Sequence, residues 1–183
     1  MVQRQRKPNR LSGYDYSKNG KYFITICTHK RELLLGGIVE NIMILNEYGK
    51  IVQSEIERIP THYENISIDI FVVMPNHVHC IVSLVGDALA RPITPTITET
   101  SGAAITETSD VAGILGAASG APTIGNVIRG FKSGVSRKCG FSIWQRNYHD
   151  HIIRNEKAYT NIYEYIINNP AKWKDDCFYE IFD

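Results

Sequence analysis

The sequence lacks the features that mark membrane and secreted proteins. Its hydrophobic residues make up 43% of 183, but no apolar run approaches the roughly 18 residues that a membrane-spanning helix needs. The basic start, MVQRQRKPNR, is not followed by the apolar segment of a secretory signal. These absences predict a soluble protein that resides in the cytoplasm.

The sequence also lacks the spacing of a structural zinc site or a zinc hydrolase. Its four cysteines stand singly, at Cys27, Cys80, Cys139 and Cys177, with no C-x-x-C pair and no H-E-x-x-H motif nearby. We therefore expect reduced thiols with packing roles. A chain of this length can bury an adequate core without disulfide bonds or structural metal ions.

Charge and composition divide the chain unevenly, although its net charge is only +1. The first ten residues contain Arg4, Arg6, Lys7 and Arg10, which either contact nucleic-acid phosphates or form a solvated arm. Residues 87–122 are rich in Ala, Thr, Gly, Ser and Pro and repeat the tetrapeptide ITET, which predicts a flexible insertion. The expected organisation is a basic arm (1–21), one domain (22–173) interrupted at 87–122, and a C-terminal tail (174–183).

Hydrophobic periodicity predicts seven main elements in the order β, α, β, β, α, β, α. The apolar runs at 68–73 and 77–85 flank a Pro-Asn turn and indicate a hairpin. The other expected elements are strands at 22–29 and within 141–153, a short strand pair at 36–45, and helices at 47–63, 123–139 and 155–169, with Pro60 ending or bending the first helix. This order predicts an α+β fold with a ferredoxin-like split βαβ antiparallel sheet and helices on one face.

Two histidines interrupt the most apolar predicted strand, at His77 and His79. Alternation along a strand places both side chains on one face, about 6–7 Å apart, where they could hold one metal ion. The alternative is a pair of structural histidines whose rings are satisfied by hydrogen bonds. Burying two unpartnered polar rings in such a strand would be costly, which favours a metal site.

Three tyrosines fall on the last predicted helix. Tyr159 and Tyr163 share a helical face with Ile162 and Ile166, which indicates a core stripe, whereas Tyr165 lies away from it. Tyr165 and Asn169 are neighbours at i and i+4. They are either a nucleophile beside a third metal ligand or a solvent-exposed pair. A tyrosine can attack a phosphodiester covalently, and a metal ion can stabilise the leaving oxygen.

These residues resemble the motifs of a known family, the HUH single-tyrosine transposases. The segment MPNHVH at 74–79 is similar to the family's metal motif, and YIINNP at 165–170 is similar to its nucleophile motif. The segment WQRNYHDH at 144–151 resembles one branch, the REP-associated tyrosine transposases. That branch shows an Asn-Pro pair where insertion-sequence relatives have Gln.

The resemblance implies a role for each matching residue. His77, His79 and Asn169 would hold Mg²⁺ or Mn²⁺, and Tyr165, on the C-terminal helix, would be the nucleophile that forms a 5′-phosphotyrosine intermediate. The implied substrate is single-stranded or hairpin DNA, including REP-like palindromes, cut and rejoined by a monomer or a homodimer. The basic residues expected to contact DNA are Arg4, Arg6, Lys7, Arg10, Arg129, Lys132, Arg137 and Lys138.

Three other functions compete with an active transposase. A domesticated DNA-hairpin binder would retain the fold without the chemistry, but His77, His79 and Tyr165 are all present. A rolling-circle replication initiator usually has a lysine three or four residues after its tyrosine, where this chain has Asn168 and Asn169. A zinc hydrolase lacks any supporting motif. The second pair, His149 and His151, is expected to have a structural or DNA-contact role.

Overall fold

The computed structural model describes residues 13–16, 18–85 and 123–179. The expectations for Arg4, Arg6, Lys7 and Arg10 and for the 87–122 insertion lie outside these ranges. Within the described residues, no helix combines the length and the apolar character that crossing a lipid bilayer requires.

Four antiparallel strands form the central sheet. In chain order they are β1 (Gly20–Cys27), β4 (Ile66–Met74), β5 (His77–Leu84) and β6 (His149–Ile153), and a separate hairpin joins β2 (Gly36–Val39) to β3 (Ile42–Leu45). The spatial order of the sheet is β4-β5-β1-β6. β1 pairs with both β5 and β6, so the two central strands are β5 and β1. This mixed α and β architecture with an antiparallel split βαβ sheet confirms the predicted fold class.

The helices begin and end where local sequence provides caps. They are α1 (Glu47–Glu57), α2 (Ile59–His62), α3 (Ile124–Cys139) and α4 (Glu156–Asn168). The side chain of Asn155 accepts a hydrogen bond from the Ala158 amide and caps α4, and Gly140 closes α3 in a left-handed conformation. The predicted 47–63 helix is two helices, because Pro60 starts a new turn rather than extending α1.

The helices cover both faces of the sheet, which corrects one detail of the predicted fold. α1 and α3 pack through Val52, Ile56, Ile128 and other apolar residues on the face that carries Val78 and Val82. α4 packs through Ile166 on the opposite face, against Ile81. The expectation of helices on one face was wrong for α4. All eight residues of β5 are buried, as expected for a strand covered on both sides.

Candidate active site

The two histidines of β5 lie side by side beneath α4. His77 is 0% and His79 is 1% exposed, and their ring centroids are 4.4 Å apart. Strand alternation places them on the same face as Ile81, whereas Val78 points to the α1 and α3 side. The strand geometry expected from the sequence therefore brings the pair together.

Hydrogen bonds orient both rings. Nδ1 of His77 lies 2.8 Å from Oδ1 of Asn76, and the Asn76 amide is itself held because its Nδ2 donates to the Phe178 carbonyl at 2.8 Å. Nδ1 of His79 lies 2.9 Å from Oγ1 of Thr25. With the proton on Nδ1, each ring keeps its Nε2 lone pair available, which is the usual arrangement of a metal-binding histidine.

Burial keeps both imidazoles neutral. It lowers the pKa of His77 to about 3, with a further contribution from the positive charge of Arg31. Burial also holds the pKa of His79 well below its usual value, and the neighbouring His77 acts in the same direction. Since a metal ion binds the neutral form of imidazole, both rings are in the ligating state near neutral pH.

The tyrosine that packing explains least is the one that reaches the histidines. The hydroxyl of Tyr165 lies 3.1 Å from Nε2 of His79 and 3.1 Å from Oδ2 of Asp176. Burial raises the pKa of the Tyr165 phenol above its usual value, and the Asp176 carboxylate raises it further. The phenol is therefore protonated near neutral pH and requires assistance to act as a nucleophile.

The other two tyrosines of α4 have the packing role that helical periodicity predicted. Tyr159 and Tyr163 lie against the cluster formed by Ile81, Ile153 and Ile166. Their rings are 6.0 Å apart, centroid to centroid. The predicted core stripe of α4 is confirmed.

Asn169 directly follows α4 and lies beside Tyr165 and Asp176. It is 1% exposed, and its Nδ2 donates to Oδ2 of Asp176 at 2.7 Å. Among the described residues, neither Oδ1 of Asn169 nor Nε2 of His77 has a hydrogen-bond partner, although both atoms are buried. Two unpartnered acceptors in one buried region are costly, and a bound cation would satisfy both.

Asp176 is a site residue that sequence analysis missed. One ligand atom each from His77, His79 and Asp176 fall within 4.8 Å of one another, and this is the only such group of three within the described ranges. Asp176 lies in 174–183, which the sequence analysis treated as a tail. No motif identified it, because its approach to β5 depends on the path of the chain after α4.

The segment after α4 covers the histidines with aromatic rings. A short 3₁₀ helix (Pro170–Asp175) places the Trp173 ring centroid 6.0 Å from that of His77. The Phe178 centroid is 4.6 Å from His77 and 5.8 Å from His79. This apolar cover excludes water and contributes to the burial that lowers both histidine pKa values.

The basic residues of α3 lie on the helix that covers the opposite sheet face. Lys132 Nζ donates to the carbonyls of Gln145, Arg146 and Asn147, and Lys138 pairs with Glu55 at 2.7 Å. These two residues hold α3 to its neighbours. Arg129 and Arg137 are exposed, and DNA contact by this set of residues remains a prediction.

The second His-x-His pair shares the sheet face of the first. In the register of β1 and β6, His149 lies opposite Thr25 and His151 lies opposite Phe23, and Thr25 is the residue paired with His79. Both side chains are exposed on the edge strand. The cluster of potential metal ligands described above does not include them.

Comparison with known proteins establishes family and fold. No protein-family model matches the chain. An uncharacterised protein of Haemophilus influenzae is 40% identical over 179 residues, which span 95% of this chain and 93% of that protein. The two proteins belong to one family. The relative carries no described activity, so this membership alone assigns none.

A solved structure supplies the fold. The REP-associated tyrosine transposase bound to a REP hairpin superimposes with a TM-score of 0.53 and 23% identity, covering 89% of this chain and 74% of that one. The chain has the tyrosine-transposase fold. A Deinococcus radiodurans protein named as a candidate transposase also aligns, at 15% identity over 87% of this chain and 95% of that chain, but its TM-score of 0.44 is too low to support an argument.

The two sequence motifs lie on elements that meet on one face of the sheet. The predicted metal motif lies on the central strand β5, and the predicted nucleophile motif lies on α4, which crosses the same face. The fold explains how segments about 90 residues apart in the sequence meet at one site.

Proposed function

We propose that this protein is a metal-dependent nuclease and strand transferase that cuts and rejoins single-stranded or hairpin DNA through Tyr165. The observation that carries the proposal is the 3.1 Å separation between the Tyr165 hydroxyl and Nε2 of His79. A candidate nucleophile thus touches a candidate metal ligand. The fold is consistent with this function, and the solved transposase of that fold is bound to a REP hairpin.

Tyr165 would attack the scissile phosphate. Its Oη forms a bond to phosphorus while the bond from phosphorus to the 3′ oxygen breaks. The phenolic proton passes to Oδ2 of Asp176, which already accepts a hydrogen bond from this hydroxyl, and the leaving 3′ oxygen takes a proton from water. The 5′ phosphate remains on Tyr165, so a second 3′ hydroxyl can reverse the reaction and rejoin the strand.

The cation would be held by Nε2 of His77, Nε2 of His79 and Oδ1 of Asn169. Two of these atoms are the buried, unpartnered acceptors of the site, and nitrogen with amide oxygen suits Mn²⁺ or Mg²⁺. When bound, such a cation supplies Lewis-acid stabilisation of charge on the phosphate and leaving oxygen. The Asp176 carboxylate is close enough to serve as an alternative ligand.

The arrangement favours action within a single chain. Tyr165 reaches His79 of its own chain, so no second copy is needed to complete the set of reacting groups. We therefore propose that a monomer carries out the cleavage step. The alternative function, a DNA-hairpin binder without chemistry, would not need Tyr165 to contact His79.

The deciding experiment looks for a covalent protein-DNA adduct. The protein is incubated with labelled single-stranded DNA that contains a hairpin, in Mn²⁺ or in EDTA, and analysed on a denaturing gel. We expect a Mn²⁺-dependent adduct that falls below detection in Tyr165→Phe and persists in Tyr163→Phe, whose ring packs in the core. Hairpin binding without an adduct in Mn²⁺ or Mg²⁺ would favour the binder.

Asp176→Asn separates the two possible roles of Asp176. If the carboxylate accepts the phenolic proton, the variant should bind Mn²⁺ with wild-type affinity and form adduct about 10²–10⁴-fold more slowly. If Mn²⁺ affinity falls together with the rate, the carboxylate is a ligand and the proposed proton transfer is incorrect. Asp175→Asn, at an exposed neighbouring position, is the matched control.

A further inference from the structure

We propose that Arg31 binds a phosphate of the DNA strand at the active site. This inference rests on the proposed function and adds a residue that neither the sequence motifs nor the metal-ligand set contains. Arg31 belongs to the short 3₁₀ segment His29–Arg31, which follows β1. Three observations support the assignment: its anchoring, its backbone conformation and the direction of its side chain.

The segment is anchored to the turn that precedes His77. Thr28, which is 0% exposed, donates from Oγ1 to the carbonyls of Glu32 at 2.7 Å and Asn76 at 3.0 Å. The Thr28 amide also donates to the Asn76 carbonyl at 2.9 Å, and the Leu35 amide donates to Pro75. The backbone that carries Arg31 is thereby held against the histidine hairpin from both ends.

The backbone at Arg31 has an unfavourable conformation for a residue with a side chain. Lys30 and Arg31 have φ values of 50° and 58°, in the left-handed region that non-glycine residues rarely occupy. Glu40 and Asn41 also have positive φ, but they form the two-residue turn between β2 and β3, where the hairpin geometry requires it. Lys30 and Arg31 are the central residues of a turn in which the Glu32 amide donates to the His29 carbonyl at 3.1 Å, but this turn does not join two paired strands. Strain of this kind is often retained at functional sites.

The Arg31 side chain reaches an aromatic ring that covers the histidines. Its guanidinium carbon lies 5.1 Å from the centroid of the Phe178 ring, and the same ring packs on His77 at 4.6 Å. Arg31 is half-buried, so its guanidinium lies at the margin of the site rather than free in solvent.

The proposed catalytic groups lack a positively charged side chain that Arg31 could supply. The side chains proposed to act in cleavage are those of Tyr165, His77, His79, Asn169 and Asp176, and none of them is a lysine or an arginine. A DNA phosphate would therefore meet no positive side chain among the proposed catalytic groups themselves. A planar guanidinium has N–H donors whose geometry matches two phosphate oxygens, and the Phe178 ring, which packs on His77, also contacts the guanidinium of Arg31.

The test measures binding of a fluorescein-labelled single-stranded oligonucleotide with a hairpin, in EDTA, at several KCl concentrations. We expect Arg31→Gln to weaken binding about tenfold and to reduce the slope of log affinity against log salt by about 0.7, the value for one lost contact to a single strand. Lys30→Gln, an exposed neighbour, should change affinity less than Arg31→Gln. Unchanged affinity and slope in Arg31→Gln would overturn the proposal.

A second pair of variants tests the strain. Arg31→Gly and Arg31→Ala both remove the guanidinium, but only glycine is free of the left-handed penalty. We expect equal loss of DNA binding and a Tm for Arg31→Gly that is roughly 2–4 °C higher. Equal Tm values would contradict the strain and overturn that part of the proposal.

The phosphate contact and the cleavage chemistry can fail separately. If DNA binding depends on Arg31 but no Tyr165 adduct forms, the proposed chemistry is refuted and the phosphate contact is supported.

Discussion

The two faces of the sheet are covered differently, and the strand β5 contributes to both. On the face beneath α1 and α3 it buries Val78 and Val82 in a core of aliphatic side chains. On the face beneath α4 it buries His77 and His79, two groups that are not needed to fill an apolar core. Burial on the first face stabilises the fold through the hydrophobic effect. Burial on the second face keeps both imidazoles neutral, which is the form in which the proposed ligands would bind a metal ion.

This difference predicts that substitutions on the two faces affect different properties of the protein. Substitutions beneath α1 and α3 should act through unfolding, and substitutions beneath α4 should act through metal binding and cleavage.

His77→Ala should remove metal-dependent cleavage. It deletes a proposed ligand, so we expect adduct formation in Mn²⁺ to fall on the order of 10³-fold or more, together with a loss of Mn²⁺ affinity measured by titration calorimetry. The neighbouring Val78→Ala, on the opposite face, should lower stability and keep Mn²⁺ affinity. Wild-type Mn²⁺ binding by His77→Ala would contradict the proposed site.

Ile128→Ala should lower stability without affecting cleavage. Ile128 is 1% exposed within the α3 side of the core, and removing its side chain should lower the free energy of unfolding by about 2–5 kcal/mol. Urea denaturation measures this loss. At a temperature where the variant remains folded, its adduct yield should match the wild type. A matching loss of adduct in folded protein would show that the two faces are coupled.

Thr25→Val should have the smallest of these effects, and the effect should be confined to the site. It removes the hydroxyl that bonds to Nδ1 of His79 while preserving shape, and loss of such a partner lowers metal affinity or activity about 10–100-fold. Thr25→Ser retains the hydroxyl and should stay close to wild type. If both variants behave alike, the hydroxyl does not orient His79.

Much of the fold was predictable because its determinants are local. The periodicity of the strands and helices, the turn at Pro75 and Asn76, and the caps at Asn155 and Gly140 depend on residues close in sequence. The sheet face that α4 covers was not predictable, because an apolar strand such as β5 does not indicate whether helices cover one of its faces or both. The apolar stripe of α4 shows which side of the helix is buried but not which face of the sheet it packs against.

The candidate site divides in the same way. Strand alternation determined that His77 and His79 share a face, and helical spacing determined that Tyr165 is not part of the α4 core stripe. Only the tertiary structure decided that Tyr165 meets His79, that Asp176 joins them, and that Arg31 approaches across Phe178. Those contacts join residues from separate parts of the chain. Their distances depend on how layers pack, and no local pattern encodes that packing.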